Sequence, residues 1–373
     1  MPVFAAQRSD LARLADQGRY RALRPRAGVD FASNDYLGLA GCARLRDAAA
    51  EALAAGVPLG SGGSRLLRGN CDDHEALEAD AAAYFRSESA VYFSSGFAAN
   101  TTLFATLPQR TDLVVHDSLI HASARDGIRL GRAQASEAAH NDPDSFEAAI
   151  RAWRGARGTG TPWIAVESLY SMDGDRAPLA DLAAVADRHD AVLVIDEAHA
   201  TGVFGARGEG LAGALAGRAN VIALHTCGKA LGCEGALLCG PRVMREAIVN
   251  RGRGFIFSTA PSPLMARVVR EALRILADEP ERRTRLWDLV RLAESALAPL
   301  GVVCSGSPIL PLIVGDEVRT MARAEAIQRA GFDVRGIRPP TVPAGTSRLR
   351  ISLTLNATAD DVRGLAAVLG DCP

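Results

Sequence analysis

The chain has 373 residues, more than one hydrophobic core usually serves, so we expect one large domain and at least one smaller one. Hydrophobic residues make up 48% and charged residues 23%, a balance that is typical of soluble globular proteins and excludes a disordered chain. The net charge of -1 and the lack of a long apolar run predict neither a nucleic-acid partner nor a membrane partner.

The cysteines and the N-terminus indicate a reducing compartment. Seven cysteines are an odd number, and none of them forms a CxxC pair, so we expect neither a disulfide framework nor a metal site. Met1–Asp10 lacks the apolar core of a signal peptide. Together these features predict a cytoplasmic protein.

The first thirty residues predict a helix followed by an arginine-rich connector. Beyond them, short apolar runs alternate with amphipathic stretches, which is the pattern of βα units around a mostly parallel sheet. The predicted strands are Ala90–Phe93, Asp112–Val115, Trp163–Glu167, Ala191–Ile195, Val221–Leu224 and Gly235–Leu238. The predicted helices are Asp72–Phe85, Gly96–Thr106, Leu179–Arg188, Arg242–Asn250 and Pro263–Leu276.

This pattern breaks near Ala277–Glu281, and a second region follows. Its predicted helices are Arg283–Leu297, Thr320–Ala330 and Ala359–Leu369, and its predicted strands lie near Leu310–Ile313 and Leu349–Thr354. We therefore divide the chain into an N-terminal segment (1–35), a large domain (36–277) and a smaller α/β C-terminal domain (278–373).

The composition singles out one residue. The chain has 42 lysines and arginines, and only Lys229 is a lysine. Arginine can replace lysine in most ion pairs, but its guanidinium stays protonated and cannot form an imine with an aldehyde. Lys229 lies in LHTCGKALG, directly after a predicted strand, among small and apolar residues that suit a pocket better than a solvated loop. It is thus a candidate for chemistry that requires an amine.

A carboxylate follows the neighbouring strand in VLVIDEAHATG. Asp196 ends this strand and His199 lies three residues later, at an edge of the sheet where α/β proteins bind ligands. The same letters resemble the Walker B box of a DEAH helicase, in which the aspartate holds Mg²⁺. Such a helicase also needs a P-loop of the pattern GxxxxGK[ST]. The surroundings of Lys229 do not match this pattern, because residues 223 and 230 are alanines.

Three further strand ends carry polar groups. In YFSSGFAAN, the amides of Gly96 and Phe97 at a helix start could bind a phosphate, and the hydroxyl of Thr226 could assist. In HDSLIHAS (116–123), a histidine just past the strand either stacks on a flat ring or caps the loop. In ESLYSMDGD, Ser171 either reaches a phenolic oxygen or caps a turn.

Taken together, these segments resemble the α-oxoamine synthase family of fold-type I pyridoxal-phosphate (PLP) enzymes. The resemblance covers nearly the whole chain. The motifs that carry it are SNDYLGLA, GSGGSRLLRG, SSGFAAN, SMDGD, DEAHATGVFG, TCGKALG and IRPPTVPAGTSRLR, in this order. It implies an aspartate-aminotransferase-like fold with a mostly parallel sheet in the large domain.

The resemblance also implies a role for each matching residue. Lys229 holds PLP as a Schiff base and moves the Cα proton, Asp196 pairs with the pyridinium nitrogen, and His121 stacks on the ring. His199 and Ser171 lie near the phenolic oxygen of PLP. Gly96, Phe97 and Thr226 bind the phosphate, and Thr259 reaches it from the partner subunit of a homodimer. The substrate residues are Asn34 and Arg350 for the amino-acid carboxylate and Arg21 or Arg24 for the acyl substrate, and Thr341 is a further substrate-binding residue.

The implied reaction is a decarboxylative condensation of L-alanine with a pimeloyl thioester of coenzyme A or a carrier protein, in biotin synthesis. Relatives that use glycine with acetyl-CoA or succinyl-CoA, or serine with palmitoyl-CoA, are the alternatives. Phe257 stands where the family often has tyrosine, and few residues separate Arg26 from SNDYLGLA. Both departures lie near the expected acyl site, so the choice of acyl chain stays open.

Overall fold

The computed structural model describes residues 3–371, which form two units. The larger unit comprises residues 37–170 and 175–283, and the smaller unit comprises 3–36, 171–174 and 284–371. Residues 3–36 belong to the smaller unit with the C-terminal residues, and Val29 and Asp30 pair with Phe332 and Asp333 as parallel strands.

The larger unit contains seven strands and most of the helices. Its strands are β2 (Ser89–Phe93), β3 (Leu113–Asp117), β4 (Gln134–Ala138), β5 (Pro162–Glu167), β6 (Val192–Asp196), β7 (Val221–Thr226) and β8 (Ala236–Gly240). Its α-helices are α2 (Ala43–Ala54), α3 (Asp72–Tyr84), α4 (Gly96–Thr106), α5 (Ala122–Leu130), α6 (Pro143–Gly155), α7 (Leu179–Arg188), α8 (Arg242–Arg251), α9 (Arg253–Ile256) and α10 (Pro263–Asp278). A π-helical turn (Arg65–Gly69) and a 3₁₀ turn (Leu211–Leu215) complete it.

The seven strands form one sheet in the order β2-β8-β7-β6-β5-β3-β4. Strands β3 to β7 run parallel to one another, and β8 is antiparallel to both of its neighbours, β7 and β2. Asp117, Glu167, Asp196 and Thr226 end four of the parallel strands, so their polar groups meet at the carboxyl edge of the sheet.

Both faces of this sheet are buried, which explains the near-continuous apolar runs in the sequence. Val114 and Val194 pack on one face with Leu103 of α4. Leu113 and Val115 pack on the other face with Ile150 of α6. Side chains alternate across a strand with period two, so each strand supplies both cores.

The strands of the smaller unit are β1 (Val29–Asp30), β9 (Ile309–Gly315), β10 (Phe332–Asp333), β11 (Arg335–Ile337) and β12 (Ser347–Ser352). Three of them form an antiparallel sheet in the order β11-β12-β9, and β1 pairs with β10. Its helices are α1 (Ala5–Asp16), α12 (Glu317–Arg329) and α13 (Ala359–Asp371), with most of α11 (Glu281–Leu297) and a 3₁₀ turn at Ala298–Leu300.

The predicted elements are present, with ends that differ by a few residues, and the α/β class is confirmed. The sequence did not predict β4, because three of the five side chains of Gln134–Ala138 are exposed and no apolar alternation marks this edge strand. The helices α2, α5, α6 and the short α9 were also not predicted, nor were the short strands β1, β10 and β11. No two cysteines between residues 3 and 371 form a disulfide, and Cys372 lies outside the described residues. Over the same range, no helix is long and apolar enough to cross a membrane.

A buried ion pair joins two strand ends of the larger unit. His140 Nδ1 lies 2.9 Å from Asp117 Oδ1, and His140 Nε2 lies 2.7 Å from Asp175 Oδ2. Asp117 is fully buried. Burial lowers the pKa of His140, but the two carboxylates outweigh it and raise that pKa to about 10. At neutral pH, His140 therefore carries a positive charge between two carboxylates.

Substituting His140→Ala should lower the free energy of unfolding at pH 7 by about 2 kcal/mol, because Asp117 loses its buried counter-charge. The raised pKa of His140 adds stability that is complete below about pH 6.5, the ordinary histidine value, and is lost as the pH rises through about 10. Urea unfolding of wild type and variant at pH 7 and pH 10 should show this difference shrinking.

The matched control is Arg151→Ala, which removes an exposed arginine from its i,i+4 pair with Glu147, whose carboxylate keeps Arg188 and His189 as partners. It should change the free energy of unfolding by less than about 0.5 kcal/mol at both pH values. A His140 variant whose deficit is equally large at pH 10 would contradict the charge-based role of His140.

Candidate active site

Asp196 is the buried carboxylate at the centre of the larger unit's polar edge. It ends β6, the middle strand of the sheet, and it is 8% exposed. Its Oδ1 accepts the backbone N–H of Ala198 at 2.9 Å, and its Oδ2 accepts an N–H of the Asn100 side chain at 2.8 Å. Donors on both oxygens stabilise the ionised form of a carboxylate.

His121 caps the N-terminus of α5. Its Nδ1 accepts the backbone N–H of Ser123 at 3.2 Å and lies 2.7 Å from Ser123 Oγ. Burial lowers the pKa of His121, the charge of Asp196 raises it, and the charge of Lys229 lowers it further. Because both charges act on this ring, His121, Asp196 and Lys229 are neighbours in the structure.

Lys229 lies on the loop between β7 and β8, which backbone hydrogen bonds order. The carbonyl of Lys229 accepts the N–H of Gly232 at 2.8 Å, and the N–H of Cys233 donates to Cys227 O at 2.8 Å. Gly232 has φ +62°, and a Cβ there would lie 2.4 Å from Ala40 N. A residue with a side chain would therefore shift the loop that carries the lysine.

The start of α4 lies against the end of β7. Ser95 caps the helix by accepting the N–H of Ala98 at 3.1 Å, so the amides of Gly96 and Phe97 precede the helix's own bonding pattern. A Cβ on Gly96 would lie 3.6 Å from Thr226 Oγ1. The Thr226 hydroxyl therefore lies beside the start of α4, where the amides of Gly96 and Phe97 and the positive end of the helix dipole can meet an anion.

The residues after Asp196 are buried. His199 is 4% exposed and follows Glu197, which is fully buried and accepts the N–H groups of Leu211 and Ala212 at 2.8 and 2.9 Å. Burial raises the pKa of Glu197 to about 7. Glu197 therefore holds the 3₁₀ turn at Leu211–Leu215 against the DEAHATG segment.

In the smaller unit, Arg350 organises a second polar group. Its Nε donates to Ser171 O at 2.6 Å, its Nη1 to Ser352 Oγ at 2.7 Å, and its Nη2 to Asn34 Oδ1 at 2.9 Å. Tyr36 also donates to Asn34 Oδ1, at 3.2 Å. The structure thus brings the predicted residues Asn34, Ser171 and Arg350 together around one guanidinium.

The remaining predicted residues are more exposed. Arg21 Nη2 donates to Thr341 Oγ1 at 3.2 Å, within the smaller unit, while Arg24 is exposed. Thr259 is exposed in the larger unit, just after α9. In the described part of the chain, no three histidine, cysteine or acidic side chains are grouped so that they could hold a metal ion.

Sequence reasoning missed Asn100 and Ser123, which link Asp196 to His121. Asn100 stands inside the SSGFAAN motif, one helical turn after Gly96, where a buried face of α4 would ordinarily be apolar. A polar residue at that position of an otherwise apolar helix face was the available signal. Ser123 offered no signal beyond its position in HDSLIHAS.

Comparison with known proteins gives a consistent assignment. The family model "Aminotransferase class I and II" matches residues 26–369. The 8-amino-7-oxononanoate synthase of Anaeromyxobacter sp. (strain K) is 44% identical over 364 residues, 96% of this chain and 90% of that protein. The same-named protein of Mycolicibacterium smegmatis is 40% identical over 376 residues, 97% of each chain.

A solved structure supports the same conclusion. Serine palmitoyltransferase from S. paucimobilis with a bound PLP–myriocin aldimine superposes with a TM-score of 0.87 at 26% identity, covering 99% of this chain and 97% of that one. The predicted fold-type I architecture, the enzyme class and the cofactor are thereby confirmed. This chain belongs to the aminotransferase class I and II family of PLP-dependent enzymes.

Proposed function

We propose that the chain condenses L-alanine with a pimeloyl thioester, of coenzyme A or a carrier protein, to give 8-amino-7-oxononanoate, CO₂ and the free thiol in biotin synthesis. The observation that carries this proposal is the grouping of Lys229, Asp196 and His121 in a chain that is 44% identical to a synthase of that name. We also propose that the enzyme acts in the cytoplasm.

The residues of the larger unit fit PLP. The aldehyde needs an amine, which Lys229 provides, and the pyridine nitrogen needs a carboxylate, which Asp196 provides with N–H donors on both of its oxygens. The phosphate needs several N–H and O–H donors, and the amides of Gly96 and Phe97 meet the Thr226 hydroxyl at a helix start. When bound, PLP supplies an electron sink for the bond that breaks at the amino-acid Cα.

The protein's own groups supply the proton handling. The Lys229 amine takes the proton from the alanine Cα and later returns one to the product carbon. Asp196 keeps the adjacent ring nitrogen protonated, and the flat face of His121 holds the ring in place. His199 and Ser171 are proposed to act on the phenolic oxygen.

The amino-acid carboxylate is proposed to bind Arg350 and Asn34. Asn34 Oδ1 already accepts bonds from Arg350 and Tyr36, so its amide nitrogen is the end that can donate to a carboxylate. The buried Arg350 is held on three acceptors, and this fixed geometry suits a planar carboxylate. Arg21, Arg24 and Thr341 are proposed to meet the acyl thioester.

We propose a homodimer that shares its active sites, with Thr259 reaching the phosphate of the partner subunit. Exposed apolar side chains near Thr259 support this proposal. Leu67 is 86% exposed and Phe257 is 72% exposed, and the turns that carry them are joined by a bond from Ala260 N to Gly63 O at 2.9 Å. Such a cluster is typical of a surface that a partner covers.

The alternative is another α-oxoamine synthase. Similarity to a serine palmitoyltransferase structure favours a serine and palmitoyl thioester pair as the second candidate. Identity to the named 8-amino-7-oxononanoate synthases is higher, 40–44% against 26%, which is why alanine and the pimeloyl group are preferred.

The purified protein should show a yellow absorbance band after incubation with PLP, and borohydride should fix the cofactor to Lys229. The Lys229→Ala variant should lack this covalent band, because the chain has no other lysine. Asp196→Ala should retain some cofactor but lose at least about a thousandfold in kcat, since it loses the group that keeps the ring nitrogen protonated. A colourless wild-type protein would refute the cofactor assignment.

A substrate matrix of alanine, glycine and serine against pimeloyl-, acetyl-, succinyl- and palmitoyl-CoA should give product mainly with alanine and pimeloyl-CoA. The amino ketone and the released thiol are measured at steady state. Turnover only with glycine or serine would reject the alanine assignment, while a strong preference for another acyl chain would reject the pimeloyl group.

The Arg350→Gln variant should raise the KM for alanine at least about tenfold, because a charge-assisted bond to the carboxylate is worth about 1.5–3 kcal/mol. The absorbance band of the bound cofactor should be nearly unchanged. Arg363→Gln is the matched control, because this exposed arginine lies on α13 of the same unit and pairs with Asp360, and it should leave the KM for alanine unaltered. An unchanged KM in the Arg350 variant would argue against its proposed role.

A further inference from the structure

Asn100 connects the two polar residues that the cofactor assignment uses. It lies on the buried face of α4 and is 2% exposed. Its Nδ2 lies 2.8 Å from Asp196 Oδ2 and 3.0 Å from Ser123 Oγ. An ionised carboxylate can only accept, so the atom facing Asp196 must be the amide nitrogen, whose two N–H groups reach both neighbours.

The next link follows from the same rule. Because Ser123 Oγ accepts an N–H from Asn100, its own O–H is available to His121 Nδ1, which lies 2.7 Å away. The backbone N–H of Ser123 points at the same Nδ1 at 3.2 Å. An atom that accepts two donors carries no proton, so the proton of the neutral ring sits on Nε2.

We propose that Asn100 is a positioning residue which, through Ser123, fixes His121 as the neutral Nε2–H tautomer while it holds the carboxylate of Asp196. This inference rests on the proposed function, because the relay matters only if His121 lies as a neutral flat ring beside the bound cofactor. The geometry itself does not depend on which substrate is used.

The charges around His121 would otherwise leave its state undecided. Asp196 and Asp126 favour a protonated ring, whereas Lys229 disfavours it. Burial also favours the neutral form and is the largest influence on the His121 pKa, which lies below its ordinary value. The donors on Nδ1 act in the same direction, because protonating that atom would break both bonds and the cap of α5.

The test is ¹⁵N NMR of the full-length protein labelled at histidine, recorded on the purified protein before and after addition of PLP. A His121→Asn variant identifies the signal of His121 among the seven histidines. In wild type, the pattern of the neutral Nε2–H tautomer is expected at pH 7. A proton on Nδ1 in wild type would overturn the inference.

Two variants test the role of the relay. In Asn100→Asp, the new carboxylate can only accept, so the Ser123 hydroxyl turns toward it and His121 Nδ1 loses a donor beside an added negative charge. The His121 titration should move up by at least about one pH unit. Ser123→Ala removes only the hydroxyl and should move it up by about half a unit or more.

Thr101→Val is the matched control. Thr101 Oγ1 donates to the backbone carbonyl of Ser123 at 3.3 Å, so the variant disturbs the same pair of helices without touching the relay. Its His121 titration should match wild type. If Asn100→Asp fails to fold, Ser123→Ala decides, and an unshifted His121 in the folded variant overturns the inference. Loss of the yellow band with an intact tautomer would instead count against the proposed function alone.

Discussion

The burial of one carboxylate constrains the rest of the larger unit. Asp196 ends the central strand β6, and a buried ionised carboxylate is tolerated only when donors and a counter-charge compensate its lost hydration. The amide of Ala198, the side chain of Asn100 and the neighbouring charge of Lys229 supply that compensation. The strand order follows the same need, because the parallel strands beside β6 bring their polar ends to its carboxyl edge.

Much of this framework could be predicted because burial leaves a strong pattern. Strands covered on both faces read as apolar runs, so Val192–Asp196 and its neighbours could be located to within a few residues. The edge strand Gln134–Ala138 has no such pattern. It pairs with β3 on one side only, and backbone hydrogen bonds to β3 fix its position. Its side chains therefore carry little information about its position.

The residues of the candidate site also differ in whether the sequence could predict them. Lys229 and Asp196 could be predicted because each has a residue type that the chemistry demands at the end of a strand. Asn100 and Ser123 could not, because their importance depends on how helices α4 and α5 align side by side, and neither residue type demands one partner. Arg350 was predicted as a substrate residue, but its three acceptors in the smaller unit follow from the register of β12 and not from the motif.

The direction of donation through the relay matters for the charge balance of the site. A cationic His121 would place a second positive charge beside Lys229 and oppose any protonated state of that amine. With two donors on Nδ1, the His121 ring instead stays neutral. It then adds no positive charge beside Asp196 and Lys229. Lys229, for which we propose the proton transfer at the Cα, can then gain or lose a proton without a competing titration of the adjacent ring.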